Sequence, residues 1–383
     1  MNRQRRHTAV CRVCGAWLFE QPLLSFCNMP RAAQHLPDAA AIVTEQGQDL
    51  DICQCSGCGL VQLNSPPVVY YRDVIRAVAV SSEMKAFRRK QFSRFLTRYG
   101  LRNKKVLEIG CGRGEFLTIM QECGADAHGL EHGPDAVAAC IKKGLNVLCG
   151  FPENGTAIFP NAPFDAFFTF NFLEHLPNIP DVLSGIHTNL AEGAIGLIEV
   201  PNFDMIVENR LFSEFIGDHL YYFTRETLTA TLTRNGFELE DCTAVWHNYI
   251  LSATVRKRKP LDLSDFIQMQ EAVTRDLHQF IARFDRERVA VWGAGHQALA
   301  LLSLAQLSGM IRYVIDSAPF KQGRFTPATH MPIVSPAVLD SDPVDAVIIM
   351  AGSYSDEVAQ IIRDKHGDKI AVAIMGTRGL TLV

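Results

Sequence analysis

The sequence lacks an apolar run of the ~18 residues that a membrane-spanning helix needs, and its N-terminus lacks the apolar stretch of a secretory leader. The reading is a cytoplasmic chain with no membrane partner. Charge of neither sign dominates: 37 Lys and Arg stand against 41 Asp and Glu, a net charge of −4. Without a basic excess, or a basic stripe interleaved with aromatics, there is no electrostatic footprint for nucleic acid. Arg3, Arg5 and Arg6 read as a solvated terminus. Internal repeats of fixed short period and low-complexity tracts are absent. Cysteine, by contrast, is plentiful, at 11 residues, six of them before residue 60. In a reducing compartment these are thiols, some of them available to a metal.

At 383 residues the chain is long enough for two or three domains, and three parts can be distinguished. Residues 1–75 are cysteine-rich and irregular. Residues 76–258 open with an amphipathic helix, Glu83 to Tyr99, and then alternate strand candidates (KVLEIG, DAHGLE, NVLCG, FDAFFTF, AIGLIEV) with helical stretches. That alternation predicts a parallel sheet wrapped by helices. In residues 259–383 a helical pattern from Asp262 to Arg286 bridges to a second α/β unit, with strands in RVAVWGAG, IRYVIDS, DAVIIMA and IAVAIMG.

The cysteines fall in two knuckle-like pairs, Cys11-x-x-Cys14 and Cys55-x-x-Cys58, each followed by a glycine, Gly15 and Gly59. A Cys-x-x-Cys turn lets two sulfurs converge on one ion, and two such pairs satisfy tetrahedral zinc. Four protein ligands leave no place for water, so the expected zinc is structural. Cys27 and Cys53 are left out of this site.

The turn VLEIGCGRGEFL places Glu108, Gly110, Gly112 and Gly114 after a short strand. Bare glycines let a backbone approach a ligand closely. No Lys-Ser/Thr follows in P-loop spacing, so a triphosphate site is not expected. The next strand ends in Glu131, placed to accept ribose hydroxyls, and the FDAFFTF strand runs into Asn171 and Phe172. With the FLEHL segment after it, this order resembles the class I S-adenosylmethionine-dependent methyltransferases. The resemblance implies that Glu108 sits near the methionine ammonium group, Glu131 holds the ribose, and Asn171 and Phe172 line the cofactor. Glu174 and His175 read as the start of a helix, where Glu174 favours the helix dipole.

The segment GDHLYYF supplies a candidate base, His219, with Asp218 beside it and Tyr222 to steady a developing oxyanion. Over nearly its whole length the chain is similar to the sugar C-methyltransferases that act on nucleotide-linked ketosugars. The cysteine segment, the core, and the run DSAPFKQGRFTPATHMPIVSP (Asp316 onward) carry that likeness. It implies that a base removes a proton next to a ketone and the resulting enolate carbon takes the methyl group. The family's Tyr-His-Glu-His run is represented here by Ile216, Gly217, Asp218 and His219. It further implies a Rossmann-like terminal domain that covers the substrate cleft, with Lys321, Arg324 and His330 as candidate phosphate contacts.

A second turn, VAVWGAGHQA, fits G-x-G-x-x-A at Gly293, Gly295 and Ala298, with Asp316 ending the next strand. Taken alone it is a dinucleotide fingerprint. A fused NAD(P)-binding oxidoreductase module, and O- or N-methylation of another small metabolite, therefore stand as alternatives.

Overall fold

A computed structural model describes the chain except for residues 1–8, 32, 34–35, 73–79, 154 and 378. Arg3, Arg5 and Arg6 lie outside the described residues. Two compact units emerge, Met1–Lys259 and Pro260–Val383. No helix among the described residues is long and apolar enough to cross a membrane.

The first unit begins with three antiparallel strands, β1 (Leu24–Met29), β2 (Gln48–Gln54) and β3 (Val61–Leu63). In β2, Leu50 and Ile52 point inward while Asp49 and Asp51 face out, the two-residue period of a half-buried strand. Helix α1 (Ser82–Tyr99) follows; Ser81 caps it by accepting from the Met84 N–H, and Gly100 ends it at φ 65°. Its buried side carries Phe92, Phe95, Leu96 and Arg88.

The alternating run then appears as β4 (Lys105–Ile109), α2 (Glu115–Glu122), β5 (Asp126–Glu131), α3 (Pro134–Lys142), β6 (Asn146–Cys149), β7 (Phe164–Phe170), α4 (Ile179–Thr188) and β8 (Leu190–Pro201). After it come α5 (Phe203–Glu208), β9 (Tyr221–Tyr222), α6 (Arg225–Arg234), β10 (Phe237–Val245) and β11 (Ile250–Lys257). The sheet order is β10-β11-β8-β7-β4-β5-β6, with β11 antiparallel to both its neighbours. β7 is almost wholly apolar because helices cover both faces of this sheet. From β4 the chain winds outward to β6 and then returns to β7 on the other side. A crevice therefore opens at the carboxyl ends of β4 and β7, where open α/β sheets bind ligands.

β9 belongs to neither edge of that sheet. It pairs with β3, Val61 opposite Tyr222 and Gln62 opposite Tyr221, and completes the N-terminal sheet in the order β1-β2-β3-β9.

The second unit comprises α7 (Ser264–Ile281), β12 (Val289–Trp292), α8 (His296–Leu304), β13 (Val314–Ile315), β14 (Ile333–Val334), α9 (Val338–Ser341), β15 (Ala346–Ile349), α10 (Ser355–His366), β16 (Ala371–Gly376) and β17 (Gly379–Leu382). The order β14-β13-β12-β15-β16-β17 is parallel except for the last pair. It is a second Rossmann-like sheet, as the repeated strand-turn-helix pattern predicts. Helix α7 is shorter than its sequence pattern, ending at Ile281, and its second half buries Val273, Leu277, Phe280 and Ile281.

One ion pair inside the first unit is fully buried. Arg88 on α1 meets Glu199 on β8 at 2.5 Å, with side chains 2% and 0% exposed, and its guanidinium lies 4.1 Å from the centre of the Phe170 ring. Removing one partner strands a charge in low dielectric. Glu199→Ala should cost about 3–5 kcal/mol in urea unfolding, whereas Arg88→Met combined with Glu199→Leu should cost much less. Equal losses in the two proteins would show that the pairing is not what matters.

Candidate active site

Gly110, Gly112 and Gly114 follow β4 with φ values of 70°, 54° and 79°, all in the left-handed region that side chains rarely adopt. The turn is pinned to β5: the Gly110 N–H donates to the Leu130 carbonyl at 2.9 Å. Glu131, 2% exposed at the end of β5, accepts from the Gly112 N–H at 2.8 Å on one oxygen and from the Gly133 N–H at 2.8 Å on the other. The two bonds fix the carboxylate, and each oxygen retains further capacity to accept. Glu108 is buried on β4 at 3% exposure.

Across the switch point, Asn171 follows β7 at φ 49° and donates its N–H to the Glu199 carbonyl at 2.8 Å. Phe172 is buried and packs on Phe151 with ring centres 5.8 Å apart. All seven candidate cofactor residues thus lie on β4, β5 and β7 or on the turns that follow them, around one crevice.

The next residues do not begin an α-helix as the sequence reading expects. Leu173–His175 form a single 3-10 turn, and α4 starts at Ile179 after Pro177, since the residue before a proline disfavours helix. Glu174 and His175 turn inward toward His219. The His175 and His219 rings meet edge to face at 4.9 Å, and Glu174 Oε1 lies 3.8 Å from His175 Nε2. The His175 Nδ1–H donates to the Asp218 carbonyl at 2.9 Å, which leaves Nε2 as the acceptor.

Glu174 is 1% exposed and neither carboxylate oxygen has a hydrogen-bond partner among the described residues. Burial pushes its pKa up to about 8. Burial, and then the neighbouring His175, push His219 down to about 3, so its imidazole is neutral. A buried acid and a buried imidazole, both shifted by desolvation and within reach of each other, make this corner a functional-site candidate.

Asp218 is placed otherwise than beside the His219 imidazole as a tuning acid. One carboxylate oxygen accepts from the Ala33 N–H at 2.8 Å and the other from the Tyr70 hydroxyl at 2.7 Å, so the side chain ties down the N-terminal segment. The Tyr222 hydroxyl accepts from the Ile216 N–H at 3.1 Å, and its ring centre is 6.4 Å from that of His219.

In the N-terminal segment, Cys11, Cys14, Cys55 and Cys58 bring their sulfurs within 4.8 Å of one another. The Cys11–Cys58 and Cys14–Cys55 sulfurs are 3.8 and 3.4 Å apart, close to the ~3.8 Å that ~2.3 Å Zn–S bonds impose in a tetrahedron. Backbone N–H groups of Val13, Gly57 and Cys58 point at sulfur, and Gly15 and Gly59 turn the chain at φ 76° and 75°. These four residues could hold one zinc ion. Cys27 and Cys53 are not among the sulfurs brought together here.

Residues 84–241 match the family described as Methyltransferase domain, and residues 255–374 match the C-methyltransferase C-terminal domain. The C-methyltransferase NovU of Streptomyces niveus is 25% identical over 387 residues, covering 91% of this chain and 90% of that protein. The protein is an S-adenosylmethionine-dependent methyltransferase. Among solved structures, the PH0226 protein of Pyrococcus horikoshii OT3 aligns with a TM-score of 0.40 at 14% identity, over 49% of this chain and 98% of its own.

Sequence reasoning gave Glu174 and His175 little weight in the methyltransferase, although FLEHL at the end of the central apolar strand was the available signal. Tyr70 had no local signal at all, because its partner Asp218 is remote in sequence. The raised pKa of Glu174 has a sign that can be checked. Between about 4.5 and 8 the folded state binds a proton that the unfolded chain has lost, so this residue destabilises the fold progressively as pH rises. Glu174→Gln should therefore raise Tm by several degrees at pH 8.5, with the gain shrinking to nothing near pH 5. A gain independent of pH would remove the buried acid from the account.

Proposed function

We propose that the methyltransferase places a methyl group on a carbon adjacent to a ketone of a nucleotide-linked deoxysugar, with His219 as the base. The observation that carries this reading is the contact of neutral His219 with buried Glu174 and His175, two and three residues beyond the Asn171–Phe172 turn. An O- or N-methyltransferase needs only alignment and mild proton removal; a carbon acid needs a base in a dry pocket. The printed names of the NovU relative and of the C-terminal domain family support carbon as the acceptor atom.

In this reading Glu131 holds the two ribose hydroxyls, Glu108 faces the methionine ammonium, the bare turn Gly110, Gly112 and Gly114 lets the cofactor approach the backbone, and Asn171 and Phe172 border it. When bound, S-adenosylmethionine supplies an electrophilic methyl group on a positively charged sulfur. His219 takes the proton from the acceptor carbon. His175, fixed by the Asp218 carbonyl, sets the His219 ring edge to face and keeps it in the neutral, proton-accepting form. It offers a second imidazole beside His219, where Ile216 and Gly217 replace the tyrosine and first histidine of the family run. Tyr222 and Asp218 act as positioning residues, one bracing the Ile216 peptide and the other anchoring Ala33 and Tyr70. The four cysteines hold a structural zinc that organises the strand on which β9 pairs.

The test uses labelled S-adenosylmethionine and a panel of nucleotide-linked 4-ketosugars, with solvent exchange at the acceptor carbon followed in parallel. His219→Asn should depress both exchange and methyl transfer by about 10²-fold or more while leaving S-adenosylhomocysteine affinity unchanged. Label on oxygen or nitrogen, or unaltered exchange, would overturn the assignment. Metal analysis should find about one zinc per chain, and Cys55→Ser should lose it together with His219-dependent exchange.

A further inference from the structure

Among the described residues, two groups bring three or more metal-ligating side chains together. One is the cysteine cluster. The other lies in the active corner, where Glu174, His175 and His219 each offer one ligand atom and all three atoms lie within 4.8 Å of one another. Two imidazoles and a carboxylate form a donor set that borderline dications such as Zn²⁺ and Co²⁺ accept.

These groups face one another without bonding. Glu174 Oε1 is 3.8 Å from His175 Nε2, too long for a hydrogen bond. Two ligands on one tetrahedral ion, at bonds of about 2.1 Å, stand about 3.4 Å apart, so this pair needs to close by only a few tenths of an ångström to share an ion. Neither oxygen of Glu174 has a hydrogen-bond partner among the described residues, although the side chain is 1% exposed. A buried carboxylate without a donor costs free energy that a bound cation would offset.

The surroundings are those of a ligating histidine. The His175 Nδ1–H donates to the Asp218 carbonyl at 2.9 Å, which fixes the tautomer and leaves the Nε2 lone pair on the side of Glu174. A carbonyl behind the ring is the usual outer support of a metal-bound imidazole. The two segments that carry the ligands are tied together, since the Leu220 N–H donates to the Glu174 carbonyl at 2.7 Å. Both histidines are half-buried, so an ion can reach them from solvent. The cysteine cluster differs in kind: four sulfurs close its shell, whereas three ligands here leave one position open.

We propose that Glu174, His175 and His219 bind one transition-metal dication of the zinc class, and that its occupancy excludes proton abstraction at this corner. The metal takes the lone pair with which His219 would accept the proton. The binding site stands on the geometry of the corner; only the exclusion rests on His219 being the base.

Cobalt(II) titration of the full-length protein, its cysteines first saturated with zinc and the excess removed, tests the site. About one cobalt per chain should bind, with visible d–d bands and without the near-ultraviolet sulfur-to-cobalt charge transfer that cysteine ligands produce. Glu174→Gln keeps the shape and removes the charge. That variant and His219→Asn should each weaken cobalt by about tenfold or more, whereas His247→Asn, at an exposed histidine between β10 and β11, should leave it unchanged. S-adenosylhomocysteine affinity should be the same in all four proteins, which shows that the variants are folded. No visible band, sulfur charge transfer in place of plain d–d bands, or parental cobalt affinity in Glu174→Gln and His219→Asn would overturn the site. With a ketosugar that supports solvent exchange, cobalt should stop the exchange and EDTA should restore it; exchange that continues at full cobalt occupancy would overturn the exclusion. Cobalt bands without any exchanging ketosugar would uphold the site and sink the acceptor reading, and exchange without cobalt bands would do the reverse.

Discussion

The pairing of β3 with β9 is the interaction on which the site depends. A three-stranded antiparallel sheet at the N-terminus would leave β3 with an unpaired edge of N–H and C=O groups. The Tyr221–Tyr222 strand covers that edge, and the Leu63 N–H to Leu220 carbonyl bond at 2.9 Å extends the contact by one more residue. Leu220 in turn donates to the Glu174 carbonyl at 2.7 Å. His219 is therefore held between the cysteine segment on one side and the turn after β7 on the other. With the Asp218 carboxylate gripping Ala33 and Tyr70, the N-terminal segment is part of the scaffold of the active corner rather than an appendage.

The same economy of backbone geometry shows in two acid-to-turn clamps, Glu131 accepting from the Gly112 N–H and Asp316 from the Ala294 N–H. A carboxylate at the end of the second strand of a Rossmann-like sheet can neutralise the N–H groups of the preceding glycine turn, keeping that turn open and rigid before any ligand arrives. In the first unit Glu131 and Glu108 are two buried acidic side chains on β5 and β4 beside the glycine turn. In the second, Asp316 is matched by Lys321. One architecture thus presents two electrostatic environments, and function follows the side chains rather than the fold.

Glu174 is the most costly residue of the active corner. Burial without a hydrogen-bond partner raises its proton affinity, and a packing core gains nothing from such a group. Buried ion pairs elsewhere in the first unit are compensated, as Arg88 is by Glu199. An uncompensated acid beside two imidazoles breaks a local rule of the kind that functional sites break.

Much of this was legible in the sequence, because the relevant signals are local. Strand-turn-helix alternation, three glycines whose positive φ only glycine tolerates readily, and Cys-x-x-Cys knuckles are each encoded within a few residues, so both α/β sheets, the glycine turn and the sulfur cluster could be read directly. Helix or turn at Glu174, the partner of Asp218, and the meeting of His175 with His219 depend on contacts between residues dozens to more than a hundred positions apart. Only the folded chain decides them, since burial, which sets whether a carboxyl is charged and which histidine is a base, is a property of what packs around a residue and not of its neighbours in sequence.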